Sequence, residues 1–252
     1  MMNEDFLFPV KVPYSTAPDI VKLKDSFQLS SITDAIFKFK MEQLALYNNH
    51  LFGEVESEQL NNALQCIRRL YQLPELNSIS DLAMSCIEDV AVLSLGKVIA
   101  IHFCSPSGFI PNHLLGKSFF EIHQPVPDAE LLLKMSDKLS AVLSDVARGP
   151  HRRYVWTLTA NPSRNQHPSL RSNYNPKTIH DLFFRTEVQT TVPLGDNVHA
   201  LFAVDVKMTA LADLWDDTSK KNAILESIQS MSNNMLHYKN LNDIKLIIEK
   251  AK

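Results

Sequence analysis

Glycine and cysteine are both scarce in this chain of 252 residues, which contains six glycines and three cysteines. The glycines form neither G-x-G-x-x-G nor G-x-x-x-x-G-K-[ST], so neither a dinucleotide site nor a P-loop is indicated. The cysteines, Cys66, Cys86 and Cys104, are widely spaced and match no zinc or iron–sulfur motif. We therefore expect them to be buried, reduced thiols.

Long apolar runs and an excess of charge of one sign are also absent. Hydrophobic residues make up 45% of the chain, but their runs are short and interrupted, so no transmembrane helix is predicted. The formal net charge is −3 and the basic residues are not clustered, which gives no indication of nucleic-acid binding. The first ten residues carry acids where a signal peptide carries bases. We expect a cytoplasmic protein with neither a membrane nor a nucleic-acid partner.

The pattern of apolar residues predicts helices, two strands, helices, three strands and helices, in that order. Helices are expected over residues 30–50, 56–71, 78–87, 113–120, 128–149, 211–215, 223–237 and 242–251, and strands over 90–95, 98–103, 153–159, 182–192 and 198–206. Segregated runs of this kind are typical of an α+β protein with an antiparallel sheet. Two strands, a helical crossover and three more strands is the order of a PAS-like five-stranded sheet, with N- and C-terminal helices added here.

We expect one structural unit made of three parts. Residues 1–88 would form an N-terminal arm and helices packed on the core, 89–207 the PAS-like core, and 208–252 the C-terminal helices. The proline-bearing segment 1–27 is predicted to be an extended arm. The polar segment 161–177 is too long for a plain connector, which indicates a functional or mobile loop.

His123 is the first candidate site residue. Pro125 and Pro127 follow it, fix the backbone and prevent a helix from continuing. A neutral imidazole is a good iron ligand, and a ligand benefits from a rigid segment. The residues alone leave open a plainer interpretation, in which His123 is a half-buried histidine bonded to a carbonyl at a helix end. Other histidines are expected to be structural or solvated: His102 on a strand, His113 in a turn, and His167 and His180 in or beside the long loop.

The strand predicted over residues 182–192 carries the second candidate group. Because side chains alternate along a strand, Arg185, Glu187 and Gln189 share one face. They form either a solvated sheet face or the lining of a polar pocket. In a pocket, Arg185 would suit a haem propionate and Glu187 a cation or proton, and Arg152 or Arg153 would serve a propionate equally well. No spacing supports a hydrolytic triad or an H-E-x-x-H zinc site.

Residues 105–127, SPSGFIPNHLLGKSFFEIHQPVP, resemble the pattern F-P-S-G-W-x-P-x-x-K-x-G-x-x-L-x-x-I-H-x-P-V-P. That pattern belongs to the haem-dependent oxidative N-demethylases, a family similar to the α subunit of dimethylamine monooxygenase. The resemblance continues in the same order through FPVKVPY, RRYVWTL, NQHP, LFFRTEVQT and ALFAVDV. The I-H-x-P-V-P and R-x-E-x-Q segments are its most specific parts.

The resemblance implies a PAS-like fold that binds haem b through an iron-ligating histidine. It also implies NADPH-driven, O2-dependent removal of a methyl group from a small amine, with electrons from a separate flavin and iron–sulfur reductase. By position, His123 would be the proximal iron ligand. Glu187 and Gln189 match the strand motif as catalytic residues, and Arg185, Arg153 and Trp156 match cofactor-binding positions.

Some residues depart from the family pattern. Val155 stands where the family has Asn, Val188 where it has a second Arg, and Phe109 where it has Trp, while Thr191-Val192-Pro193 replaces basic residues. These departures leave three hypotheses open. The chain is an oxidative N-demethylase-like monooxygenase, a non-enzymatic haem or gas sensor on the same scaffold, or a structural domain that has lost the cofactor. A Soret band would separate the first two from the third.

Overall fold

The computed structural model describes residues 8–251, apart from the side chains of residues 48 and 171–173. Within these residues, seven strands form one antiparallel sheet: β1 (Val21–Lys22), β2 (Phe52–Glu54), β3 (Asp89–Ser94), β4 (Lys97–His102), β5 (His151–Thr159), β6 (Phe183–Pro193) and β7 (His199–Ala210). Their order across the sheet is β1-β5-β6-β7-β3-β4-β2. The predicted α+β class is confirmed. The predictions for residues 1–7 and 252 lie outside the described residues.

All five predicted strands are present as β3 to β7, and they are neighbours in the sheet. The expected total of five is nevertheless wrong, because β1 and β2 extend the sheet at its two edges. These strands have two and three residues. So short a segment shows no alternation of apolar and polar residues, so the sequence pattern did not indicate them.

The helices described within residues 8–251 are α1 (Asp34–Tyr47), α2 (Glu58–Tyr71), α3 (Ile79–Ala83), α4 (Phe119–His123), α5 (Glu130–Lys134), α6 (Ser136–Ser144), α7 (Ala212–Trp215), α8 (Thr218–Gln229), α9 (Asn233–Tyr238) and α10 (Asn242–Lys250). Helices α1, α2 and α10 agree with the prediction. The Ser57 side chain caps α2, and Ser78 caps α3 in a reciprocal capping box with Asp81.

Three predicted helices are wrong in their bounds. The helix expected over 113–120 is replaced by a 3-10 turn and then α4, because Gly116 adopts a φ of +75° between them. The helix expected over 128–149 is two helices, and Asp128, with a φ of +55°, lies before them and does not cap the first. The helix expected over 223–237 is interrupted where Ser232 caps α9 by accepting a hydrogen bond from the Met235 amide.

The two faces of the sheet pack against different parts of the chain. The face that carries Ala91, Ile101, Val204 and Val206 packs against Ile122 of α4 and the turn before it, and we call it the crossover face. The opposite face packs against α2 and α3 at one end and against α7 to α10 at the other, and we call it the terminal-helix face. We call α4, α5 and α6, which connect β4 to β5, the crossover helices.

Candidate functional site

His123 is the last residue of α4 and lies partly buried over the crossover face. Its Nδ1–H donates to the Phe119 carbonyl at 2.8 Å, and its ring stacks on that of Phe119 with the centroids 4.1 Å apart. Burial lowers the pKa of His123, and the Arg153 charge lowers it further, although the hydrogen bond to Phe119 opposes this. The imidazole is therefore neutral near pH 7, and its Nε2 has no hydrogen-bond partner among the residues described.

Arg185, Glu187 and Gln189 are brought together on the crossover face of β6, as alternation predicts. The Glu187 carboxylate accepts hydrogen bonds from Arg185 Nη1 through one oxygen and from Gln189 Nε2 at 2.6 Å through the other. Burial raises the pKa of Glu187, but the charge and hydrogen bond of Arg185, together with Gln189, bring it below its ordinary value. Glu187 is 8% exposed, so the structure holds a nearly buried carboxylate in its ionised form.

The Arg185 guanidinium is committed to protein partners. Besides Glu187, it donates from Nη2 to the Ser105 carbonyl at 2.7 Å and from Nε to the Arg164 carbonyl at 3.4 Å. It is 1% exposed. Arg185 therefore ties the sheet to the turn after β4 and to the loop after β5.

Arg153 lies opposite Gln189 in the β5–β6 register and projects to the same face as Glu187. Its Nε is buried without a hydrogen-bond partner in the described part of the chain. Burial lowers the pKa of this guanidinium, and Glu187 acts in the opposite direction. A buried cation with an unpartnered donor is costly unless a further acceptor is present. Arg153 is thus suited to an anionic group that comes to it from outside the chain.

Lys239 and Tyr14 complete the polar group, and the sequence reasoning missed both as site residues. Lys239 Nζ donates to the Trp156 carbonyl at 3.0 Å and lies 5.5 Å from the centre of the Tyr14 ring. Burial lowers the pKa of Lys239 to about 8, although Glu187 opposes the shift. Burial also raises the pKa of Tyr14 to about 12. The only sequence signal for either residue was the proline-aromatic arm that contains Tyr14.

Trp156 does not lie on the crossover face with Arg153 and Glu187. It is 5% exposed and lies in the core under the C-terminal helices, stacked on Phe184 at 5.6 Å with Tyr14 at its edge. Because side chains alternate along β5, Trp156 projects away from the side that carries Arg153 and Val155. The structure therefore places Arg153 beside Glu187 and Gln189, with His123 close enough to Arg153 for its charge to act on the imidazole, and places Trp156 on the opposite face.

The donor set on the crossover side fits a haem group in its chemistry. A neutral imidazole whose Nδ1 is fixed by a backbone carbonyl is the usual form of a metal-ligating histidine. The buried Arg153 supplies a cation for a propionate, and Ile122, Val206 and Met208 supply apolar surface. Within residues 8–251, no three His, Cys, Asp or Glu side chains form a metal-binding group. If haem is bound here, His123 would supply an imidazole nitrogen to its iron and Arg153 a cation to a propionate.

A family model described as haem-dependent oxidative N-demethylase, alpha subunit-like, matches residues 35–248. The chain belongs to this family. No curated protein sequence matches the chain. Membership of the N-demethylase family supports haem-dependent oxidative chemistry and, through the alpha-subunit description, an assembly with partners.

Two of the residues that depart from the family pattern, Val155 and Val188, lie on opposite faces of the sheet. Val155 lies directly opposite Glu187 in the β5–β6 register, on the crossover face. Val188 alternates with Glu187 along β6 and projects to the terminal-helix face. Of these two changes, only Val155 alters the surroundings of the acidic residue that the family motif contributes.

The remaining histidines divide into structural and solvated residues. His102 is 1% exposed, stacks on Phe52, and bonds Ser80 Oγ at 2.9 Å, and burial lowers its pKa to about 4. His113 and His180 are exposed, as expected. The expectation for His167 is wrong, because it is 4% exposed and stacks between Tyr47 and His50.

Two further observations bear on the predicted class of protein. All three cysteines are free and buried, which confirms the expectation for them. No helix within the described residues combines the length and apolar character that a membrane-spanning segment needs.

Proposed function

We propose that this chain binds haem b between its crossover helices and the crossover face, with His123 as the proximal iron ligand. The observation that carries the proposal is the free Nε2 of a neutral imidazole whose Nδ1 is anchored on the Phe119 carbonyl. The strand order supports a PAS-like core. Counted from β3, the five long strands lie in the order second, first, fifth, fourth, third, with helices in the connection between the second and third.

In this proposal, Arg153 holds a haem propionate with its unpartnered Nε. Arg185 acts on Glu187 and on two carbonyls, and so positions the carboxylate and does not reach the cofactor. Trp156 supports β5 from the opposite face. The three parts of the chain act as one unit, because described residues from both the N-terminal and C-terminal parts pack on the same terminal-helix face.

The activity we propose is an oxidative N-demethylase-like monooxygenation of a small amine. Haem, when bound, supplies an iron that activates O2 with electrons from a separate flavin and iron–sulfur reductase. The chain's own contribution begins with Glu187, whose ionised carboxylate attracts the positive charge that a small amine carries near pH 7. Gln189 fixes the second carboxylate oxygen, so the negative charge faces a defined direction. Val155 and Val206 flank Glu187 and give apolar contacts for methyl groups.

The activity is tested with protein expressed with haem available. We expect a Soret band, and with an artificial reductant, O2 and dimethylamine we expect formaldehyde. The Glu187→Gln variant should keep the band and raise KM more than it lowers kcat, since it loses attraction for the ammonium group. Exposed Glu226→Gln is the matched control. A Soret band without formaldehyde over a panel of small secondary amines would remove the enzymatic proposal and leave haem binding.

A non-enzymatic haem or gas sensor is the second candidate, and Val155 favours it. The family pattern has Asn at this position, directly opposite Glu187, and valine removes a polar side chain from the substrate's surroundings. Val155→Asn distinguishes the candidates. If the chain is an enzyme of reduced activity, the variant should raise formaldehyde formation, whereas a sensor should show no formaldehyde with either residue.

A further inference from the structure

A cavity of about 580 Å³ lies on the terminal-helix face, on the other side of the sheet from His123. Its floor is made of small side chains of the central strands, Val188, Thr190 and Ala203. The flanking helices leave this part of the face uncovered, since α2 and α3 pack at one end and α7 to α10 at the other. The volume lies within the range of small-molecule sites.

Residues 23–30 run over this cavity, and we call them the strap. The strap is held at its two ends. The Leu23 amide donates to the Pro150 carbonyl at 2.8 Å, and the Ser30 hydroxyl donates to Glu88 at 2.8 Å. Residues 24–29 make no hydrogen bond with any other part of the described chain, and Phe27 is held by its contacts with Arg152 and the core. The middle of the strap can therefore move without breaking a hydrogen bond.

The two walls of the cavity carry charged groups with unused hydrogen-bonding capacity. Arg152 donates from Nε to Thr190 Oγ1 at 3.1 Å, and none of the described carboxylates forms an ion pair with it. Across the floor, Asp205 pairs through Oδ2 with Lys207 at 3.5 Å, while its Oδ1 is buried and has no partner in the described residues. One wall thus offers a cation, and the other offers the Asp205 carboxylate, whose side chain is 22% exposed.

The register places these two groups at a defined separation. Arg152 pairs with Thr190, and Asp205 pairs with Val188, two residues along β6 from Thr190. Arg152 and Asp205 are therefore two strands apart across the sheet and two residues apart along it, which places their Cα atoms roughly 12 Å from each other. The side chains extend into that distance from both sides. A molecule that touches both must carry its charges several bonds apart.

We propose that the cavity binds a small zwitterion, with its anionic group on Arg152 and its ammonium group on the Asp205 carboxylate. The lining supports a ligand of no net charge, because its three basic residues (Lys24, Arg152, Lys207) balance its three acidic ones (Asp25, Glu88, Asp205). The Glu88 carboxylate is already used by Ser30. An ω-amino acid with about four methylene groups fits the separation. This site goes beyond the proposed haem function and shares no side chain with it.

Isothermal titration calorimetry on the purified full chain tests the proposal with 5-aminopentanoate, pentanoate and pentylamine. We expect 5-aminopentanoate to bind about tenfold more tightly than either singly charged analogue, because each charge-assisted contact contributes separately. Arg152→Gln should reduce the affinity for 5-aminopentanoate to that of pentylamine, and Asp205→Asn to that of pentanoate. Lys38→Gln, an exposed change on α1, is the matched control and should leave the affinity unchanged.

The proposal fails if the wild-type chain gives no binding heat with 5-aminopentanoate. It also fails if the zwitterion binds no better than the singly charged analogues, or if Arg152→Gln and Asp205→Asn bind as the wild type does. The three probes on the wild-type chain decide the matter even if a variant does not fold. Because no haem measurement enters the test, failure here is separate from failure of the proposed function.

Discussion

The Glu187 carboxylate is held ionised inside the sheet by two neighbours on its own strand. Arg185 and Gln189 each bond one of its oxygens, and Arg185 is itself almost fully buried. Removing one member of a buried ion pair leaves the other charge without compensation. This row of Arg185, Glu187 and Gln189 is therefore important to folding as well as to the proposed amine site.

We expect Glu187→Gln to lower the free energy of unfolding by about 3 kcal/mol at pH 7. The pKa of Glu187 is below its ordinary value in the folded chain, so its stabilising contribution is full above about pH 4.5 and disappears as the pH falls through the lowered pKa. The difference between wild type and variant should therefore shrink as the pH falls below about 4.5. Urea unfolding monitored by circular dichroism, repeated at each pH, measures this difference in the free energy of unfolding.

Glu226→Gln, on the exposed side of α8, is the control and should change stability by less than about 0.5 kcal/mol. A Glu187→Gln variant as stable as this control at pH 7 would show that the buried row contributes no net stability. A difference that grows as the pH falls would contradict the direction assigned to the pKa.

The alternation of side chains along a strand predicted much of the candidate site. It placed Arg185, Glu187 and Gln189 on one face, since the period of a strand is fixed by its backbone. It could not show that Lys239, which is 52 residues further along the chain than Glu187, reaches the same charged group. His167 was expected to be solvated because it lies in a polar loop, but its burial depends on Tyr47 and His50, which come from a distant helix end.

Among the elements, the crossover helices are the part that haem binding should change. The cavity between α4, α6 and β3, lined by Phe119, Ile122 and Leu143, has a volume of about 30 Å³. That is space for one or two water molecules and not for a macrocycle. Helices α4 and α5 have five residues each, and helices so short depend on their packing for stability.

We therefore expect haem loading to change amide hydrogen exchange across residues 119–144 and to leave α2 unchanged. Mass spectrometry of haem-free and haem-loaded protein measures both regions in one experiment, with α2 as the internal control. Equal exchange in residues 119–144 with and without haem would contradict binding on this side of the sheet.

The loop over residues 161–177 is anchored at Asn165, which is fully buried. Its Nδ2 donates to Gln43 Oε1 at 2.7 Å and its Oδ1 accepts from the His167 amide at 2.7 Å. Asn165→Ala would leave both partners unsatisfied. We expect it to lower the free energy of unfolding by about 2 kcal/mol and to expose the loop to proteolysis.

Asn175→Ala, an exposed change in the same loop, is the control and should leave the cleavage rate unchanged. Limited proteolysis with a broad-specificity protease compares the two variants. Equal cleavage in both would show that Asn165 does not hold the loop.

Helix existence was easier to predict than helix extent. The strong apolar faces of α2 and α10 predicted them nearly residue by residue. The breaks at Gly116 and Ser232 depend on a positive φ and on a side-chain cap, which a pattern averaged over several turns does not resolve. The same limit explains why the predicted helix ended at residue 120, whereas α4 ends at His123, which is bonded to a carbonyl at a helix end as the plainer interpretation expected.

At the scale of the whole molecule, the sheet separates two regions with different chemistry. The crossover face carries His123, Arg153 and the Glu187 row. The opposite face carries the two large apolar cores and the cavity beneath the strap. The sequence predicted the order of the five long strands along the chain, but the edge strands and the strap depend on contacts between residues distant in sequence.

The central claim is that His123 holds haem iron, and the visible spectrum of His123→Ala tests it most directly. His113→Ala is the matched control, because His113 lies in the same crossover segment and is exposed. We expect protein expressed with haem to show a Soret band that His113→Ala retains and His123→Ala loses, with the band restored by added imidazole. A His123→Ala protein with unchanged haem content and spectrum would contradict the account.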